Sequence, residues 1–143
     1  MELVTTRVFS QQADLVAALP QLLSHARRFF AAELNVLAAS APDRPDPALA
    51  QVTLALESAR YPGAGTFRID SRSTSDQDRA EAEVAEVRGR AGGMALLAAR
   101  CAQVWSITAE GEPSGSAELQ LCALLASVAL GPVLPADGST LYG

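Results

Sequence analysis

Residues 51–72 read QVTLALESARYPGAGTFRIDSR, and whether this stretch is a hairpin or a helix decides the fold class. Val52, Leu54 and Leu56 alternate with Thr53, Ala55 and Glu57. After the turn sequence YPGAG, Phe67 and Ile69 alternate with Arg68, Asp70 and Arg72. Alternation on both sides of a short Gly-rich turn is the pattern of two half-buried antiparallel strands. The competing reading is a helix opened by Pro47, with Leu49, Val52, Leu56 and Ala59 at helical spacing.

Upstream, the β-branched run LVTTRVF (3–9) predicts a first strand. A long helical pattern follows, with Leu19, Leu22, Leu23, Ala26, Phe30, Leu34 and Leu37 on one face and Pro20 in its first turn. The proline-rich SAPDRPDP (40–47) stops it. Downstream, Ser75 and Asp78 form a capping-box pattern. Beyond it Ala80, Val84, Val87, Ala91, Met94, Ala98 and Cys101 recur at alternating intervals of four and three, a heptad seam. QVWSITAE (103–110) predicts another strand, and GEPSGS breaks the chain. Ser116 then opens a last helix, ended by Gly131-Pro132 and followed by an extended tail over 132–143.

The order strand, helix, strand, strand, helix, strand, helix predicts one α+β domain over residues 1–143. Its first six elements match a four-stranded antiparallel sheet with two helices on one face, the split-βαβ, ferredoxin-like order βαββαβ. An apolar C-terminal helix is appended to it. The alternative arrangement of similar pieces is a roadblock- or profilin-like α/β sandwich.

The stretch RGRAGGMALLAAR (88–100) poses a choice between a phosphate cradle and a packing surface. A phosphate-binding glycine loop follows a strand and opens a helix. Here the glycines follow an acidic, capped helical stretch, and the seam continues through them in phase. Interior helical glycine costs about 0.5–1 kcal/mol relative to alanine. Close approach of another backbone at Gly92 and Gly93 would offset that cost, so the stretch is expected to be a packing surface.

Composition narrows the chemistry further. All 11 basic residues are arginine, which excludes a P-loop lysine, a Schiff base or a lysine general base. Together with the many alanines, this matches the codon usage of a high-GC bacterial genome. His25 is the only histidine, so multi-histidine metal sites are excluded, and no cofactor is expected. Cys101 and Cys122 stand in apolar surroundings without CxxC spacing and read as buried, reduced thiols. The net charge of −5 gives no reason to expect nucleic acid or an anionic membrane as a partner. The N-terminus lacks a signal-peptide pattern, and the longest strongly apolar stretch, 121–134, is too short to span a bilayer and contains a Gly-Pro break. A cytoplasmic setting is expected.

The final helix, AELQLCALLASVALG, is apolar on nearly all sides and must be covered on nearly all sides. Leu121, Leu124, Leu125 and Val128 are therefore candidate interaction residues, and a homodimer or larger oligomer is the expected partner state. Arg68, Asp70 and Arg72 form an outward row, with Glu57 opposite, that would grip a carboxylate or an acidic partner segment. These features favour a non-catalytic protein–protein interaction module, a small acidic adaptor, regulator or chaperone-like protein. The alternative is a small-molecule-binding protein or enzyme with a pocket between sheet and helices, using His25, Arg68, Asp70, Arg72 and Trp105. No nucleophile elbow supports a triad around His25.

Overall fold

The computed structural model describes residues 5–12, 14–40, 50–58 and 62–142. Its strands are β1 (Thr6–Ser10), β2 (Ala32–Ser40), β3 (Ala50–Ser58), β4 (Gly63–Ser73), β5 (Gln103–Gly115) and β6 (Val133–Leu134). Its helices are α1 (Leu19–Phe30), α2 (Asp76–Gly89), α3 (Met94–Ala99) and α4 (Ala117–Ala129). The strands form one antiparallel sheet in the order β2-β3-β4-β5-β1-β6. The α+β class holds, but the expected four-stranded sheet with two helices on one face does not. Six strands and four helices are present among the described residues.

The hairpin reading of 51–72 is correct, and the helix alternative for 51–58 is not. Val52 pairs with Ile69 and Leu54 with Phe67, each facing inward. The two additional strands come from sequence with weak strand signals. The long helical pattern ends at Phe30, because Ala31 turns into the left-handed region (φ 49°) and donates its N–H to the Ala26 carbonyl. The alanine-rich segment beyond it pairs with β3 as an edge strand, with Leu34 opposite Leu56. At the other edge, the segment read as an extended tail packs back onto β1. Val8 pairs with Val133 there, and Val133, Leu134 and Leu141 are buried.

The alternation of β1 divides the core between the two faces of the sheet. Val8 joins Leu54, Phe67, Ile69, Trp105 and Ile107 beneath α1 and α4. Phe9 points the other way and joins Val104 and Leu134, with Ala82 and Ala85 of α2 and Ala98 of α3. The sheet therefore lies between helices only where it reaches β5, β1 and β6. This also accounts for α4, whose Leu121, Leu124, Leu125 and Val128 are fully buried between sheet and α1. These four side chains, which suggested self-association, are covered within the chain, while Leu119 on the same helix is exposed.

The heptad seam is interrupted. The Ser75–Asp78 capping box forms as expected and starts α2. That helix stops at Gly89, with Arg90 left-handed at φ 51°, and a turn precedes α3. A Cβ added at Gly92 or Gly93 would meet nothing within 4 Å. Gly93 serves the turn through its φ of +91°. The packing expected of these two glycines falls instead on Gly89, where a Cβ would run into Thr140. The stretch is a helix break, and the two halves of the seam face different surroundings.

Candidate functional site

On the second face of the sheet, α2 and α3 cover one end and no described element covers the rest. The alternation of β3, β4 and β5 sends Gln51, Thr53, Ala55 and Glu57, then Thr66, Arg68 and Asp70, then Ser106, Thr108 and Glu110 to this open face. The outward row predicted from TFRIDSR is therefore real, but its members divide. Arg68 donates from Nε to Asp70 at 3.0 Å and lies 3.8 Å from Glu110. Gln51 donates to the other Asp70 oxygen at 2.9 Å. Glu57 stands opposite Ala64 rather than Arg68.

Arg72 sits at the covered end, bound in a fork to Asp78 of α2. Asp78 is the hub of that contact, only 1% exposed, and it also accepts from Arg7 at 2.9 Å and from the Ser75 backbone at 2.8 Å. Burial pushes its carboxyl pKa up, but the Arg72 and Ser75 hydrogen bonds and the Arg72 charge outweigh this and hold it well below the usual carboxylate range. The Asp78 hydrogen bond in turn raises Arg72. Arg7 completes the pin by also binding Glu81. Both arginines of the predicted row thus already face carboxylates of this chain.

Two depressions mark the open face. One, of about 340 Å³, is lined by Arg68, Asp70, Arg72, Ser106 and Thr108. The other, of about 350 Å³, is lined by Asn35, Ala55, Glu57, Thr66, Glu110 and Glu112, with no basic residue. They adjoin at the Arg68–Glu110 pair. Next to the second, Glu33 of β2 lies directly opposite Glu57 of β3. Arg27 of α1 lies 3.5 Å from Glu33 and offsets the repulsion that facing like charges would otherwise have. The carboxylates Glu110 and Glu112 were legible as a two-residue spacing in TAEGEP, but sequence reasoning treated that stretch as a strand end and a break.

Elsewhere a groove of about 510 Å³ runs between α2 and residues 134–138, with Arg7, Glu81, Val84, Arg88, Leu134 and Asp137 among its walls. The remaining candidates are scattered. His25 meets Ser127 at 3.2 Å at the junction of α1 and α4, edge-on to Phe29. Trp105 is fully buried, with its indole N–H donating to Gln103. Cys101 and Cys122 are both buried and form no disulfide, and burial pushes their thiols up to about 11 and about 12. Among the described residues, no group of three His, Cys, Asp or Glu side chains could hold a metal, and no helix is long and apolar enough to cross a membrane. Comparison with family models, curated proteins and solved structures found no match.

Proposed function

We propose that the chain is a protein-interaction module, an adaptor-, regulator- or chaperone-like binder, that receives an extended basic polypeptide segment on the open face of its sheet. The observation that carries this reading is the face that no described element covers, where Glu57, Glu110 and Glu112 line one depression and Asp70 and Glu110 flank Arg68. A sheet face of Thr, Ser and Ala side chains is shallow enough to accept a chain lying along it. The excess of carboxylate at the β2–β5 end selects cationic side chains, reversing the acidic partner that the arginines alone suggested. A reducing, cytoplasmic setting fits the two thiols that form no disulfide.

Fluorescence anisotropy with a labelled arginine-rich peptide, and a glutamate-rich peptide as control, tests the reading. Binding of the arginine-rich peptide alone is expected, weakening with salt. Replacing Glu57, Glu110 and Glu112 together by Gln should weaken it by about tenfold or more, equivalent to about 1.4 kcal/mol. Preference for the acidic peptide, or indifference to the triple replacement, would reject this face as the binding surface.

A further inference from the structure

Helix α2 buries Asp78, Ala82 and Ala85 and turns a second apolar row outward. Ala80, Val84 and Val87 recur there at helical spacing, with Val84 49% and Val87 78% exposed. This is the first half of the interrupted heptad seam, left without a partner by the break at Gly89–Gly93. Beside the row runs the groove closed on its far side by Leu134, Ala136 and Asp137, with Arg7, Glu81 and Arg88 also among its walls. Its volume, about 510 Å³, is room for several apolar side chains.

The charges around the row say what would fit it. Asp78 is buried and held by Arg7 and Arg72, but Asp76, Glu81, Glu83 and Glu86 precede Arg88 and Arg90, so the exposed charges run from acidic to basic with Arg79 as the one exception. Glu81 stands three residues before Val84 and Arg88 four residues after it. Neither Glu83 nor Arg88 has an ion pair among the described residues. A two-fold axis at Val84 turns this pattern onto itself, row against row, and brings Arg88 of each copy to Glu81 of the other. Self-complementarity of that kind is what an isologous interface requires.

We propose that α2 is a homodimer interface, in which a second copy packs its α2 antiparallel across Val84 and seats its Val84–Val87 row in the groove. This surface is separate from the open sheet face and does not depend on it. Both valines are exposed in the single chain, so replacing them leaves the core untouched.

Sedimentation equilibrium of the full chain at micromolar concentrations should give twice the 14.9 kDa monomer mass. Val87→Glu and Arg88→Glu should each raise the dimer dissociation constant by roughly tenfold or more, with melting curves at dilutions where both proteins are monomeric unchanged. A Val84→Cys variant should crosslink to its symmetry mate under mild oxidation. A Leu119→Cys variant, on an exposed site of α4, should not. A monomer at every concentration overturns the proposal and leaves the row to a partner of different sequence. A dimer indifferent to Val87→Glu and Arg88→Glu, or one that crosslinks through Leu119→Cys instead, overturns it in favour of another surface.

Discussion

At the scale of single residues, Asp78 does the most to fix the arrangement. One buried carboxylate caps α2 through Ser75 and ties that helix to β1 and β4 through Arg7 and Arg72. Asp78→Asn keeps the shape but leaves two guanidiniums facing a neutral amide. Breaking a buried ion pair typically costs about 3–5 kcal/mol. Because Arg72 is part-exposed, the lower end of that range is expected from urea denaturation at neutral pH. The carboxyl pKa is depressed in the folded state relative to its ordinary value of 3.8. Its contribution is therefore complete above that value and declines as pH falls below it toward the folded pKa. The stability difference between wild type and Asp78→Asn should narrow through that acid range. A difference constant down to the acid transition would show that the ionised form of Asp78 is not what holds the helix. The capping role was legible in Ser75-x-x-Asp78. The two arginines that meet there come from strands 71 and 6 residues away in sequence, and only strand pairing brings them to one atom.

At the scale of elements, the stretch 88–100 shows how a periodic pattern can mislead. Small apolar residues continue the heptad spacing across Gly89–Gly93, yet a left-handed Arg90 and Gly93 end one helix and start another. The three glycines should therefore respond differently to alanine. Gly92→Ala meets open space and should change stability by no more than about 0.5 kcal/mol. Gly93→Ala forces a Cβ into a positive φ and should cost about 1 kcal/mol or more. Gly89→Ala gains helix propensity but collides with Thr140, whose backbone also lies too close, and overpacking of about 1–3 kcal/mol should win. Thermal melts of the three variants give the order. A destabilised Gly92→Ala, with Gly89→Ala neutral, would restore the continuous helix that the structure excludes. The strand β2 was missed for a related reason: Leu34 and Leu37 extend the helical face of α1, and nothing local marks Ala31 as the turning point.

At the scale of the whole molecule, α4 is the central support. It lies on the sheet against α1, so Leu121, Leu124, Leu125 and Val128 are internal. Leu124→Ala should then cost about 2–5 kcal/mol as a core cavity, with a loss independent of protein concentration. A concentration-dependent loss, or none, would mean that this helix faces another molecule. Fluorescence of Trp105, the only tryptophan, is buried against the same core and provides the readout. The sequence by itself determined the α+β class, the β3–β4 hairpin with its inward and outward faces, the capped start of α2 and the buried thiols. Each of these follows from side-chain period or from hydrogen bonds closing within a few residues. Tertiary structure alone decided the two edge strands, the covering of α4, the split of the glycine seam, and the gathering of carboxylates on the open face. Those depend on which distant segment supplies the missing backbone partner, apolar cover or countercharge, and alanine-rich sequence is compatible with more than one answer until the sheet has formed.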